Sequence, residues 1–164
     1  MRIREALEGD AEAVATLWTE AYAEAGPEGR RDPYSLQEYF AVAAEAEVTV
    51  AEADGEVLAV VALFAPGAPG RSIAGAGEAE LARLAVASAA RRRGIGRELV
   101  EACAVRAWEL GAEAVALWSR PYQTAAHRLY ESLGYRRVPE RDGEDRDGRR
   151  FVFRLDLDRV GSAM

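Results

Sequence analysis

Apolar residues recur along this chain at two spacings, and the alternation between the spacings lays out its elements. Met1 to Glu5 reads as a short strand. Val14, Leu17, Trp18, Ala21 and Tyr22 then return every three or four residues, which predicts one face of a helix with Asp10 as its N-terminal cap. Leu36, Tyr39, Phe40 and Ala43 repeat that spacing behind Ser35, predicting a second helix to about Ala46. Glu47 to Ala53 and Glu56 to Phe64 read as two strands joined by Asp54-Gly55, the strongest short hairpin signal. Pro66 to Gly77, rich in Gly, Pro and Ala, predicts a mobile loop.

The second half continues in the same manner. Ala79 to Val86 reads as a strand, Glu98 to Leu110 as an amphipathic helix, Glu113 to Ser119 as a strand and Tyr122 to Leu133 as a helix. Tyr135 to Pro139 and Arg149 to Leu157 predict a closing antiparallel pair around the charged loop Glu140 to Gly148. The strands at 79–86 and 113–119, joined through a helix, should be parallel neighbours. No repeat and no linker interrupts this order, so residues 1–164 are expected to form a single domain.

Composition narrows the class. In 164 residues, 49% are apolar, enough for one core. The net charge of −7 argues against general nucleic-acid binding, which needs a basic surface. One cysteine allows no internal disulfide, and a reducing cytoplasm is the natural compartment. No signal peptide and no apolar run long enough to span a bilayer is visible, so no membrane partner is expected. With one His and one Cys, no metal site is expected either.

One stretch stands out from the acidic background: Arg91-Arg92-Arg93-Gly94-Ile95-Gly96-Arg97, between a strand and a helix. A cationic, glycine-containing turn at a helix start is an anion trap, because glycines let a bound group approach the backbone and the first helical N–H groups and the dipole favour negative charge. A phosphate or pyrophosphate is the expected guest. Neither the nucleoside-triphosphate loop nor the Gly-x-Gly-x-x-Gly dinucleotide fingerprint is present. Taken alone, the run is equally an Arg-rich helix start with a solvated face.

Arg91-x-x-Gly94-x-Gly96 resembles the coenzyme-A pyrophosphate loop of GCN5-related N-acetyltransferases (GNAT), Gln/Arg-x-x-Gly-x-Gly/Ala. One helix and one strand later, Gln123-Thr124-Ala125-Ala126-His127-Arg128-Leu129-Tyr130 with Gly134-Tyr135 resembles the same family's Asn-x-x-Ala-x-x-Leu-Tyr-x-x-x-Gly-Phe/Tyr signature. The resemblance is detailed from about Ala79 to Val138. It implies an α/β fold of order β-α-α-β-β-β-α-β-α-β-β, with a mixed, mostly antiparallel sheet of about seven strands between helices. It implies further that the strands at 79–86 and 113–119 splay apart and admit the pantetheine arm of coenzyme A. Acetyl-CoA would be the co-substrate and a primary amine its partner, in a monomer or homodimer. A non-catalytic acetyl-CoA sensor is the alternative.

Acetyl transfer to an amine sets three tasks. An amine of pKa ~10.4 must lose its proton, the oxyanion needs N–H donors, and the departing thiolate needs a proton. The resemblance assigns the last to Tyr130, which by its helical spacing with Ala126, Leu129 and Leu133 is also a core aromatic. Glu80 stands where some family members carry a catalytic base acting through water; otherwise it is an edge or solvent-facing carboxylate beside Glu78. The backbone of Leu84, Ala85 and Val86 would serve the oxyanion and the cofactor arm, and Arg91, Arg92, Arg93, Gly94, Ile95, Gly96 and Arg97 the pyrophosphate. Gln123 replaces the usual Asn and is a poorer helix cap, which puts its cofactor contact in doubt.

The remaining candidates are peripheral. Cys103 reads as a small core residue and His127 as a surface helical histidine. Arg83 is expected on a solvated sheet face or in the acceptor cleft. Glu24, Glu28, Asp32, Asp142, Glu144 and Asp145, with Trp18, Tyr22 and Tyr34, would suit a cationic amine. Trp118 is placed either in the cleft or in the core.

Overall fold

Alternate residues of one central strand feed two separate cores. In β3 (Glu56–Phe64), Ala59, Val61 and Leu63 enter one hydrophobic cluster, while Val60, Ala62 and Phe64 enter the other. That period of two is the pleat of a strand buried on both faces. The computed structural model describes residues 1–23 and 32–157. Helices α1 (Ala11–Ala23) and α2 (Leu36–Glu45) cover one face through Val14, Leu17, Trp18, Tyr39 and Val42. Helices α3 (Ile95–Glu109) and α4 (Thr124–Ser132) cover the other through Leu99, Val100, Cys103 and Tyr130. Side chains as fully buried as Leu99 and Val100 each contribute about 1.5–3 kcal/mol.

The remaining strands are β1 (Arg2–Glu5), β2 (Glu47–Ala53), β4 (Glu78–Val86), β5 (Ala114–Ser119), β6 (Arg136–Arg137), β7 (Gly143–Asp145) and β8 (Gly148–Asp156). Their order is β1-β2-β3-β4-β5-β8-β6, with β7 folded back on β8. Every pairing is antiparallel except β4 with β5, as two strands joined through a helix require. This is the mixed, mostly antiparallel α/β sheet expected, with β7 an addition from the loop assigned to 140–148. Among the described residues no helix is long and apolar enough to cross a membrane.

Several local expectations hold for the expected physical reason. Ser35 accepts the Glu38 N–H at 3.1 Å while Glu38 reaches back to the Ser35 N–H at 2.9 Å, a reciprocal cap. Asp54 and Gly55 both have positive φ, 53° and 78°, as the tight β2–β3 hairpin needs.

Others are corrected. Asp10 does not cap α1; its carboxylate turns back to the Leu7 N–H at 2.7 Å and takes both Arg4 amino groups at 2.7 and 3.0 Å. Helix α3 starts at Ile95 rather than Glu98, so the glycine turn is itself the helix start. The loop at 66–77 is anchored rather than loose. Arg71 donates to the carbonyls of Ala68, Gly75 and Glu78, and two buried carboxylates gather the N–H groups that its glycine-rich backbone leaves free.

Candidate active site

The turn before α3 owes its shape to two left-handed residues, Arg92 (φ 68°) and Gly94 (φ 77°). Gly94 is the N-cap and offers no side chain, and the first helical bond runs from Glu98 N–H to Gly94 O at 3.1 Å. The N–H groups of Ile95, Gly96 and Arg97 therefore have no acceptor within the helix, which leaves a positive pole at the surface. A Cβ at Gly96 would lie 3.6 Å from both Val86 and Leu129, ordinary packing distance, so the helix start sits between β4 and α4 with room for a small side chain. Arg91, Arg92 and Arg93 are exposed around the pole. Arg97 differs: its guanidinium donates to Ser132 Oγ at 2.7 Å and pairs with Glu101, tying α3 to α4.

Beside this pole the sheet opens. The parallel ladder has three pairs, Glu78–Ala114, Ala79–Val115 and Glu80–Ala116, and then stops, although β4 runs on to Val86 and β5 to Ser119. Ala85 and Val86 pair with Val60 and Ala59 of β3, so their other edge has no strand beside it. β4 also bulges here. Val60 faces Ala85 while Ala62 faces Ala82, so Arg83 and Leu84 together stand opposite Val61. Arg83 takes φ 55°, and its carbonyl accepts the indole N–H of the fully buried Trp18 at 3.0 Å.

Tyr130 lies on the α3–α4 side of this opening, 5% exposed, its ring against Tyr135 and Phe153 with centroids 5.8 Å away in each case. Burial first, then the neighbouring Tyr22 and Cys103, push its hydroxyl pKa well up, so the group stays protonated. Gln123 begins α4 without capping it. Its side-chain oxygen turns back to Arg120 N–H at 2.7 Å and Ser119 Oγ at 2.9 Å, which leaves its amino group as the part available to a ligand. His127 is not a surface histidine: Nε2 lies 3.0 Å from the Arg120 carbonyl and 3.2 Å from Ser119 Oγ, and the ring rests on Phe153. Burial holds its pKa below the usual value. Cys103 is buried, and burial pushes its thiol up to about 12, so it carries no nucleophile.

Glu80 is 2% exposed. It is thus no edge carboxylate, and its two oxygens accept the N–H groups of Ser72 (3.0 and 3.1 Å), Ile73 (2.8 Å) and Ala74 (2.9 Å) and the Ser72 hydroxyl (2.8 Å). Its neighbour Glu78 accepts two donors from Arg141 at 2.9 and 3.0 Å, one from Arg154 at 2.7 Å and the Gly75 N–H at 2.8 Å. Burial pushes the Glu78 carboxyl up, but these donors together outweigh it and hold it at about 2.

A cleft of about 530 Å³ opens where β4 and β5 part. Its walls include Tyr22, Tyr34, Ser72, Glu80, Arg83, Trp118, Arg120, Tyr122, Gln123 and Asp145. Trp118 therefore belongs to the cleft, its N–H on Ser72 Oγ at 3.1 Å, while Trp18 is core behind Arg83. Arg120 and Ser72 were not singled out from sequence; Arg120 meets Asp145 at 2.9 Å through two donors across 25 residues that no motif links. Of the acids expected to draw a cationic amine, Asp32 and Glu144 are exposed. Asp142 accepts from Arg137 and from the Val152 N–H, Asp145 serves Arg120, and Glu24 and Glu28 lie outside the described residues. No cluster of three or more potential metal ligands occurs among the described residues.

A strand-to-helix turn with an uncapped positive pole thus stands beside a parted pair of parallel strands. The model of the acetyltransferase (GNAT) family matches residues 11–135, and the chain belongs to that family of acetyl-CoA-dependent acyltransferases. Among solved structures, a GCN5-related N-acetyltransferase from Kribbella flavida is 27% identical, with a TM-score of 0.73 over 95% of this chain and 97% of the other. The ribosomal-protein-alanine N-acetyltransferase of Brucella melitensis is 22% identical, with a TM-score of 0.76 over 96% of this chain and 100% of that one. yncA of Salmonella typhimurium, solved with its cofactor acetyl-CoA, is 21% identical with a TM-score of 0.77, over 96% and 94% of the two chains. The last two share the fold. A search of curated proteins gave no match.

Proposed function

We propose that the protein transfers an acetyl group from acetyl-CoA to a primary amine by direct attack in a ternary complex, as a single-domain cytoplasmic enzyme. The observation that carries this reading is the end of the β4–β5 ladder at Glu80–Ala116 beside the uncapped pole at Gly94. An open strand edge and a helix N-terminus are the two backbone features that a pantetheine arm and a pyrophosphate require, and the residues present fit both. When bound, acetyl-CoA supplies the activated acetyl thioester.

The chain's own residues supply the rest. Ile95, Gly96 and Arg97 offer main-chain N–H groups to the pyrophosphate, and Arg91, Arg92 and Arg93 offer charge. The free edge of Leu84, Ala85 and Val86 offers donors to the arm and to the oxyanion. The Gln123 amino group, left over when its oxygen turns to Arg120 and Ser119, joins them. Tyr130, protonated in the resting site, gives its proton to the departing thiolate and takes one back, through water in the cleft, from the nitrogen of the new amide. Every oxygen of Glu80 already accepts from the loop, so the ammonium of the acceptor loses its proton to water in the cleft. Glu80 then holds the cleft wall in place.

Release of free CoA thiol, followed across a panel of primary amines with wild type and Tyr130→Phe, tests this. Turnover by wild type with a large loss in the variant supports it. Tight acetyl-CoA binding without thiol release from any amine would make the protein an acetyl-CoA sensor instead.

A further inference from the structure

Arg83, at the bulge of β4, combines three features. It holds a left-handed backbone conformation (φ 55°), unusual for a residue with a side chain and a place where strain is stored. Its guanidinium lies 5.3 Å from the ring centroid of Trp18 and 5.3 Å from that of Tyr34, fixed by two aromatic faces on the wall of the cleft. Among the described residues it forms no ion pair. The other cations of the cleft are matched: Arg120 is bound by both oxygens of Asp145, which also lies 4.0 Å from Arg150. Of the cleft's other carboxylates, Glu80 is filled by the loop, Asp147 lies 3.8 Å from Arg146 and Glu45 is exposed near Gly70; none of them pairs with Arg83.

Resting on the acetyl-transfer reading above, we infer that Arg83 determines acceptor specificity by binding an anionic group of the acceptor itself, so that the substrate is a small amino acid or amino-phosphonate rather than a cationic amine. A guanidinium lodged between two rings tilted 59° to each other is confined in position, and its planar fork of donors is the geometry that a carboxylate or phosphonate matches with two oxygens. Arg83 directly precedes Leu84, Ala85 and Val86, the open edge assigned to the reacting carbonyl. An anion bound there brings to that edge an amine attached only a few atoms away; a polyamine would meet an unmatched positive charge in the same place. Tyr34 and Tyr22 then offer aromatic surface to the acceptor's side chain.

The test compares, at fixed acetyl-CoA, CoA release with free amino acids, their amides, the corresponding decarboxylated amines and amino-phosphonates. Amidation or decarboxylation is expected to lower kcat/KM by about 10²-fold or more, and comparison of carboxylates with phosphonates identifies the anion. Arg83→Gln should erase that difference, and Arg83→Lys should restore part of it, while the thermal shift caused by acetyl-CoA stays unchanged in both. Amides or polyamines used as well as the acids, or an acid preference that survives in Arg83→Gln, would overturn the inference and leave acetyl transfer standing. Bound acetyl-CoA with no release from any compound would remove the transfer reading, and the inference with it.

Discussion

Glu80 and Ser72 meet three times: the carboxylate of β4 accepts the backbone N–H and the hydroxyl of a residue eight positions earlier. Ser72 in turn accepts the indole N–H of Trp118, so loop, β4 and β5 close one wall of the cleft through a single side chain. Glu80→Gln removes half of the acceptor capacity and sets an amide against donors. Denaturant unfolding should show a loss of about 1–3 kcal/mol. KM for the acceptor should rise while the pH profile of kcat keeps its shape; loss of the acidic limb would instead mark Glu80 as the base.

Tyr130→Phe removes one hydroxyl and leaves a ring of the same size against Tyr135 and Phe153. kcat should fall by roughly 10²–10⁴-fold, the usual range for a positioned acid. Equilibrium binding of acetyl-CoA should be unchanged, and an unaltered kcat would take the acid role from this residue.

Gly94→Ala tests the turn. A methyl group there has nothing within 4 Å to strike, so the cost comes from the backbone at φ 77°, about 1–2 kcal/mol in a left-handed residue. Relaxing that φ turns the first N–H groups of α3 away from a common point, and KM for acetyl-CoA should rise at least several-fold. Equal affinity in the two proteins would argue against a pyrophosphate seat.

Glu78 predicts a pH dependence. Its carboxyl stands at about 2 rather than the ordinary 4.5, so the unfolded chain takes up the proton first. The stability it lends is complete above about pH 4.5 and is lost as pH falls towards 2. Glu78→Gln should flatten that part of a plot of unfolding free energy against pH, most visibly in the loop anchored through Gly75 and Arg141.

How far the sequence carried these conclusions depended on the range of the interactions involved. Val14, Leu17 and Trp18 on one helix face, Asp54-Gly55 between strands and Arg91 to Gly96 before a helix are local signals, and each led to the right element. Asp10 misled because its best donor was Arg4, six residues back in the sequence and in direct contact, rather than the helix ahead of it. Glu80 and Glu78 were unreadable for a related cause. The N–H groups that fill them come from a loop whose glycine and proline content suggests slackness, and nothing local shows that it folds onto buried carboxylates. The bulge at Arg83 left no pattern at all, since a one-residue offset between β3 and β4 exists only once the strands have paired.

Among the described residues, strands β1 to β4 pair with strands β5 to β8 only through the three-pair ladder between β4 and β5, which the bond from Glu113 N–H to Gly77 O at 2.8 Å precedes. The sheet is thus two halves meeting along a short seam, with the exposed strand edges of both halves facing the same gap. A ligand arm lying in that gap acts as a surrogate strand and completes a structure the polypeptide leaves open. Amide exchange at those residues of 84–86 and 117–118 whose N–H groups face the gap, every second one along each strand, should therefore slow when acetyl-CoA is added, ahead of any change in the outer strands.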